Sequence, residues 1–195
     1  MDFRERNRSF AELGALSAGP GAMIHRGQPE PIYGQRVSAS LLRAFRIRPE
    51  AGRLFTKEED TPRVPPDVAL LSEPFWRSRF GADPSIVGQD ILLDGSPHTV
   101  VGVIPTPEDP FTGIQVFVPL TPGLNPNRGD HRLSMFGRLG EGVSFEQARE
   151  DLALIASRLG TEYPESNAGW GIYMEPLDEW LIGDQAPGIL GMLAG

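Results

Sequence analysis

Residues 91–104, Ile-Leu-Leu-Asp-Gly-Ser-Pro-His-Thr-Val-Val-Gly-Val-Ile, carry the strongest local signal in the sequence. An Asp-Gly pair between two apolar runs is typical of a two-residue hairpin turn, which needs residues that tolerate a positive φ. We therefore expect two strands, residues 91–93 and 98–104, joined by Asp94-Gly95. Other short apolar runs predict strands at residues 68–71, 114–120 and 133–139.

Two short helices are marked by the residues that usually begin and end a helix. Ser72 follows the predicted strand 68–71 and is expected to cap a helix with Pro74 in its first turn, where a missing N–H costs nothing. Gly81 ends that helix. Ser38 or Ser40 is expected to cap another helix, which runs to residue 45.

A longer helix is expected after Ser144, because Ser144 and Gln147 have the spacing of a capping box. Apolar residues spaced by three or four mark its buried face: Phe145, Ala148, Leu152, Ile155 and Leu159. Tyr163-Pro164 ends this helix, and alternating polarity over residues 170–174 then predicts a half-buried strand. Strand, helix and strand over residues 133–175 would form a β-α-β unit.

The N-terminal region predicts one more helix. Phe10, Leu13 and Leu16 recur at a spacing of three, which is typical of a buried helical stripe, so we expect a helix over residues 6–17. Together with the hairpin and the capped helices, this indicates an α+β fold.

The composition is that of a folded domain rather than a disordered or fibrous chain. The 195 residues are 39% hydrophobic and 23% charged, enough for one domain or two small ones. The formal net charge of −8 argues against a nucleic-acid-binding protein. Cysteine is absent, which excludes thiol catalysis, cysteine-ligated zinc and disulfides. The charge is uneven, since residues 1–57 carry a net positive charge and the remainder is strongly acidic.

Neither end of the chain carries a recognisable targeting or spanning segment. Residues 1–6 are charged where a secretory signal would become apolar, and no window approaches the roughly 18 apolar residues of a membrane span. Residues 187–195 are uncharged and largely apolar. We expect this tail to be either a docked C-terminal segment or the start of a membrane helix that is cut short.

A search for catalytic or metal-binding residues gives no convincing constellation. His25, His98 and His131 stand alone, without the paired spacing of a metal site. Asp130 with His131 is the best single candidate. Ser72 lacks the Gly-x-Ser-x-Gly context of a nucleophile and is interpreted as a helix cap.

Two further motifs have simple structural interpretations. Residues 137–142, Gly-Arg-Leu-Gly-Glu-Gly, lack the Gly-Lys-Ser/Thr of a phosphate loop and are expected to form a strand-to-helix turn. Residues 58–60, Glu-Glu-Asp, lack the ligand spacing of a calcium loop and are expected to be a solvated acidic loop. We therefore predict no catalytic, cofactor-binding or metal-ligating residues, no cofactor and no enzymatic activity.

Residues 72–88, Ser-Glu-Pro-Phe-Trp-Arg-Ser-Arg-Phe-Gly-Ala-Asp-Pro-Ser-Ile-Val-Gly, resemble a known family. The similarity is to the MacB-like periplasmic core domain of FtsX-like permease subunits of ABC transporters, above all the large bacterial permeases with two such halves known from acidobacteria. Other blocks resemble the family in the same order: residues 7–10, 37–40, 48–55, 58–60, 94–105, 116–120, 140–148 and 162–170.

The resemblance implies an architecture and a role. A membrane-proximal, porter-like β-α-β base would comprise about residues 1–40 and 129–186, with a mixed α/β lobe containing the hairpin inserted at about residues 41–128. Residues 187–195 would begin a membrane helix. The domain would lie on the periplasmic face of the inner membrane and couple ATP-driven helix movement to periplasmic events. Its partners would be the rest of the permease, a separate ABC ATPase subunit, and a second permease half or a periplasmic adaptor.

Two alternatives from other functional classes remain. A free-standing extracytoplasmic module would bind a peptide, lipid or sugar in a cleft between two lobes, with Trp170, Tyr173 and Trp180 as an aromatic platform. A hydrolase or metalloenzyme would instead be centred on Asp130 and His131.

Overall fold

One mixed β-sheet organises the chain in a computed structural model that describes residues 2–60, 67–105, 110–121, 133–182 and 191–192. The strands are β1 (Phe10–Ala18), β2 (Ala22–His25), β3 (Gln28–Pro31), β4 (Gly34–Val37), β5 (Ala51–Gly52), β6 (Val68–Ser72), β7 (Asp90–Leu93), β8 (Ser96–Ile104), β9 (Val116–Pro119), β10 (Ser134–Leu139), β11 (Glu175–Pro176) and β12 (Gly191–Met192). The helices are α1 (Asp2–Arg6), α2 (Ala39–Ala44), α3 (Glu73–Phe80), α4 (Phe145–Glu162), α5 (Pro164–Asn167) and α6 (Leu177–Ile182). The α+β class is therefore confirmed.

The strand order is β10-β1-β4-β9-β6-β8-β7-β2-β3, with β5 paired to β8. The pairs β4–β9 and β6–β8 are parallel, and the other neighbours are antiparallel. The short strands β11 and β12 form a separate parallel pair, and β12 lies beside β10.

The predicted hairpin is confirmed as β7 and β8. Asp94 and Gly95 both have positive φ, at 47° and 84°, as a two-residue hairpin turn requires. The Asp94 carboxylate accepts hydrogen bonds from the backbone N–H groups of Gly21, at 3.2 Å, and Ala22, at 2.9 Å. The turn residue thus also fixes the start of β2 against the hairpin.

The sheet curls because one long bent hairpin, residues 10–37, contributes strands to two distant places in it. β3 ends at Pro31 and β4 begins at Gly34, so these strands lie within about 11 Å of each other. In a flat sheet their places in the strand order would separate them by about 29 Å. The bend is closed by hydrogen bonds from Gly19 N–H to Gly34 O and from Ile32 N–H to Gly21 O.

Three apolar clusters occupy the two faces of this sheet. The α2 cluster lies under α2 and includes Leu41, Leu42, Phe111, Phe117 and Phe136. The curl cluster is closed by α3 and includes Met23, Leu71, Leu93, Val103 and Val116. The α4 cluster joins α4 to β1 and includes Leu13, Ala148, Leu152, Ile155 and Leu159. The predicted buried face of α4 is therefore confirmed.

The helix starts follow the sequence signals closely. Ser144 Oγ accepts the Gln147 N–H and Gln147 Oε1 accepts the Ser144 N–H, so the capping box is present. Ser38 caps α2 by accepting the Leu41 N–H. Ser72 is the N-cap residue of α3, although its side chain makes no capping hydrogen bond, and Gly81 ends that helix in the left-handed conformation.

The predicted helix over residues 6–17 is wrong. Residues 2–6 form α1, and residues 10–18 form β1, whose pairing with β10 is shifted between Phe10 and Glu12. Both faces of β1 are covered, by α4 on one side and α2 on the other, so its apolar residues do not alternate. The irregular register adds to this effect, and the resulting spacing of three imitates a helix.

The predicted strand over residues 170–174 is also wrong. Ile172 and Met174 do point inwards, but this segment is irregular, and the following β11 pairs with β12 rather than with the main sheet. The β-α-β unit over residues 133–175 therefore consists only of β10 and α4. Alternating polarity indicated which side chains are buried, but not which backbone groups are paired.

No helix within the described ranges is long and apolar enough to span a bilayer. Most of the apolar tail, residues 187–195, lies outside those ranges, and its identification as the start of a membrane helix remains a prediction. The division into a base and an inserted lobe also remains a prediction; in the structure one sheet runs through both.

Candidate functional site

The histidines and the best catalytic candidate do not form a site in the described residues. His25 lies in β2 and His98 in β8, on either side of β7, and His98 Nδ1 is 3.0 Å from Ser96 O. Asp130 and His131 lie outside the described residues. Within the described ranges, no group of three or more His, Asp or Glu side chains is placed to hold a metal ion. Because the structure does not describe Asp130 and His131, the expectation that the domain has no catalytic residues remains a prediction.

The acidic loop is held by an arginine. Glu59 accepts two hydrogen bonds from the Arg53 guanidinium, at 2.8 and 2.9 Å, and a third from the Thr56 N–H at 2.8 Å. Burial acts to raise the pKa of the Glu59 carboxyl, but Arg53 and Thr56 stabilise its charged form more, so its pKa lies below the usual value. Glu59 therefore stabilises this loop, because its carboxylate oxygens already accept hydrogen bonds from donors within the protein.

The glycine-rich segment 137–142 forms the predicted strand-to-helix turn. Gly140 N–H donates to Ser9 O, and Gly142 has a φ of 74° just before α4. A side chain at Gly137 would approach Phe10 and Leu13 within 3 Å, so this glycine permits close packing on β1.

The N-terminal helix is bound to α4 by polar contacts. The Arg6 guanidinium donates two hydrogen bonds of 2.8 Å to the Glu162 carboxylate, and this contact raises the pKa of Arg6. Asp151 accepts hydrogen bonds from the Arg8 N–H at 2.8 Å and the Ser9 hydroxyl at 3.0 Å. Because these contacts lie far apart along α4, they fix the direction of α1 as well as its position.

α2 is fixed to the sheet at both of its ends. At its start, Ser38 Oγ accepts the Ala15 N–H at 3.0 Å, and Ser38 N–H donates to Ala15 O at 3.0 Å. At its end, the Arg138 guanidinium donates to Ala44 O at 3.0 and 2.5 Å, which satisfies a carbonyl that the helix leaves unpaired. Between them, Gly14 allows the backbone of Leu41 to approach β1.

A chain of aromatic rings extends from the C-terminal helix into the sheet. Trp180 of α6 packs edge-on against Phe136 at 5.7 Å between ring centroids, and Phe136 contacts Phe45 at 6.0 Å. Phe45 contacts Phe111 at 5.1 Å, and Phe111 contacts Phe117 of β9 at 5.6 Å. Such contacts each add about 1 kcal/mol beyond the burial of area. These residues come from five separate segments, so no periodicity in the sequence could have predicted the chain.

The three residues of the predicted aromatic platform do not share one environment. Trp180 is partly buried and packs against the buried ring of Phe136, whereas Trp170 and Tyr173 are each 58% exposed. Tyr173 donates a hydrogen bond to Glu175 at 3.1 Å, and this bond raises the pKa of the tyrosine. The platform is thus reduced to Trp170 and Tyr173.

A small apolar cavity lies beside β1 and β10. Its lining residues are Arg4, Leu13, Gly14, Ala15, Ser38, Leu120, Leu133 and Met135. Its volume of about 40 Å³ has room for about three water molecules. This cavity is too small for the peptide, lipid or sugar of the binding-module alternative.

Comparison with known proteins gives one family and several similar structures. The model of the MacB-like periplasmic core domain family matches residues 5–155. The macrolide export ATP-binding/permease protein MacB of Campylobacter fetus is 28% identical over 109 residues, which is 54% of this chain and 16% of that protein. The chain therefore corresponds to a small part of the length of this curated relative.

Three solved structures share the fold. The periplasmic region of MacB from Actinobacillus actinomycetemcomitans has a TM-score of 0.62 at 14% identity, over 84% of this chain and 72% of the other. The extracellular domain of the ABC-type transporter YknZ from Gram-positive bacteria gives 0.61 at 15%, over 86% and 84%. A domain of a putative permease from Porphyromonas gingivalis gives 0.62 at 18%, over 85% and 72%.

Proposed function

The chain belongs to the MacB-like periplasmic core domain family, and from this premise we propose that it transmits movement between the membrane helices of an ABC transporter permease and the periplasm. The family makes the chain an extracytoplasmic domain of an inner-membrane transport protein, and the family is not a catalytic one. Under the proposal, ATP hydrolysis on another polypeptide drives the movement, and the domain itself performs no chemistry.

The observation that carries the proposal is the continuity of the curled sheet. The bent hairpin of residues 10–37 pairs with β10 at one end and with β7 at the other. A displacement applied to β1 and β10 therefore reaches β2 and β3 through backbone hydrogen bonds. Sheets and packed cores transmit such displacements because interiors are dense and only slightly compressible.

The contacts around the ends of the described chain support the same role. α1 is bound to α4 through Arg6 and Glu162, and α6 is packed into the sheet through Trp180 and Phe136. Both terminal segments are thereby coupled to one core. Membrane helices that continued from either end would pull on the sheet rather than on a loose linker.

The proposed partners follow from this role. They are the remainder of the permease, a separate ABC ATPase subunit, and a second permease half or periplasmic adaptor. The base of about residues 1–40 and 129–186 would adjoin the membrane, and the lobe of about residues 41–128 would extend away from it.

The proposal is tested in the parent permease with its ATPase, reconstituted in nanodiscs. Spin labels are placed at Tyr33→Cys, where the native tyrosine is 74% exposed, and in a membrane helix of the second permease half, which is not attached to this domain and serves as the reference. A second pair joins Tyr33→Cys to Leu154→Cys on the exposed side of α4. Distances are measured by pulsed electron spin resonance without nucleotide and after trapping with vanadate.

We expect the label at residue 33 to move relative to the membrane helix on trapping, while the distance between residues 33 and 154 stays constant. An unchanged distance to the membrane helix during ATP turnover would refute the coupling role. If only the distance between residues 33 and 154 changed, transmission through a rigid sheet would be refuted.

A further inference from the structure

The segment that follows α5 presents an exposed aromatic pair among carboxylates. We define the acidic aromatic surface as Trp170, Tyr173, Glu175 and Glu179. Both aromatic side chains are 58% exposed, although residues of this size and polarity usually bury most of their area.

The backbone on both sides of Tyr173 is anchored, so the Tyr173 side chain is held outwards. Ile172 packs against the α4 cluster, and Met174, 8% exposed, belongs to it. Tyr173, which lies between these two anchors, therefore points away from the core. Its hydroxyl donates to Glu175 at 3.1 Å, and the charge of Glu179 also acts on it. Because Tyr173 is held in place before a partner arrives, its side chain loses little conformational entropy on binding.

The segment of the chain that carries this surface has only acidic charged side chains. Residues 159–195 contain six Asp and Glu residues and no Lys, Arg or His. Several other carboxylates are paired with arginines, as in Glu162 with Arg6, Glu73 with Arg77 and Glu146 with Arg149. Within the described part of the chain, neither Glu175 nor Glu179 takes part in an ion pair of this kind.

We propose that the acidic aromatic surface docks a cationic protein partner, whose Lys and Arg side chains pair with Glu175 and Glu179 and stack on Trp170 and Tyr173. Exposed Trp and Tyr are the residue types that carry most binding energy at protein interfaces. Their rings also attract Arg and Lys, and the carboxylates add attraction of the same sense. An anionic lipid surface would be repelled by these carboxylates, so the charge favours a protein over a membrane. This inference is independent of the coupling role.

The test uses the full 195-residue chain and a hexapeptide of alternating arginine and alanine. Binding is measured by isothermal titration calorimetry at about 50 mM salt, where screening is weak enough to observe it. The isosteric variant Glu175→Gln/Glu179→Gln removes two charges from the surface. The matched control Glu141→Gln/Glu150→Gln removes two exposed charges elsewhere, so both proteins have the same net charge. Trp170→Ala/Tyr173→Ala tests the rings without a change in charge.

We expect Glu175→Gln/Glu179→Gln to weaken binding of the peptide about ten-fold, from the usual strength of exposed ion pairs. Trp170→Ala/Tyr173→Ala should weaken it about five-fold, from the usual strength of cation–π contacts. The control pair should change binding less than two-fold. Equal losses of affinity in Glu175→Gln/Glu179→Gln and in the Glu141→Gln/Glu150→Gln control would overturn the proposal, because binding would then depend only on net charge. If the chain binds phosphatidylglycerol vesicles and Trp170→Ala/Tyr173→Ala abolishes that binding, the proposal is overturned in favour of a lipid surface. Thermal unfolding of each variant verifies its fold. If Trp170→Ala/Tyr173→Ala does not fold, the comparison of Glu175→Gln/Glu179→Gln with the Glu141→Gln/Glu150→Gln control is sufficient to decide the proposal.

Discussion

Replacing Gly14 with alanine tests how tightly α2 is packed on the sheet. A Cβ atom at this position would lie 2.4 Å from both Leu41 N and Leu41 Cα, whereas ordinary contacts begin at 3.4 Å. The obstructing atoms are backbone, so no rotamer change relieves the clash. α2 and β1 must separate by about 1 Å.

That separation affects the start of α2 as well. The two hydrogen bonds between Ala15 and Ser38 are 3.0 Å long, and another 1 Å would break both. Each is worth about 1 kcal/mol, and overpacking adds about 1–3 kcal/mol. We therefore expect Gly14→Ala to lower the free energy of unfolding by at least about 3 kcal/mol. For a domain of this size this loss corresponds to about 6–12 °C in Tm.

The matched control is Gly21→Ala, because a Cβ there meets nothing within 4 Å and its φ is not positive. This variant should be neutral or slightly more stable, since alanine restricts the unfolded chain. Urea unfolding followed by circular dichroism measures both proteins. If the two alanine variants agree within about 0.5 kcal/mol, the close approach of α2 to β1 is wrong.

Three further changes probe the loop, the long helix and the hairpin turn. Glu59→Gln should remove a pH dependence of the free energy of unfolding, because Arg53 holds the Glu59 pKa below its unfolded value. The wild type gains stability above the unfolded pKa and loses it as the pH falls through the lowered folded pKa. The free energy of unfolding in urea, measured between pH 3 and 6, should therefore vary less with pH in the variant than in the wild type. Ser144→Ala breaks the capping box of α4 and should cost about 1 kcal/mol in thermal unfolding, whereas a loss below about 0.3 kcal/mol would mean that the box is not formed in solution. Asp94→Ala removes the acceptor for Gly21 and Ala22 and should cost about 2 kcal/mol, with faster amide exchange at both residues as the site-specific readout; unchanged exchange would contradict the contact.

Local chemistry in the sequence was sufficient for the turns and helix caps. Asp94-Gly95 and the Ser144–Gln147 box appear as predicted, because each depends on residues that are near in sequence. The identity of β1 was not predictable in this way. Its apolar spacing reflects α2 and α4 packing on opposite faces, and these helices lie 20 to 130 residues further along the chain.

The candidate surface was only partly predictable for the same reason. Trp170, Tyr173 and Trp180 lie within eleven residues of the sequence, yet Trp180 packs against Phe136, a contact between residues 44 positions apart that nothing local predicts. The absence of basic residues after Arg158 was readable from the sequence, but its meaning depends on which aromatic side chains remain exposed.

The last strand of the curled sheet has a consequence for how neighbouring copies behave. β3 pairs with β2 through a two-residue turn, so Gln28 and Glu30 occupy the hydrogen-bonded positions, and Pro29 and Pro31 direct their nitrogens to the open edge. Proline has no N–H to offer, so this edge cannot template an added strand from another chain. At high local concentration this edge of the sheet is therefore protected against pairing with a neighbouring copy.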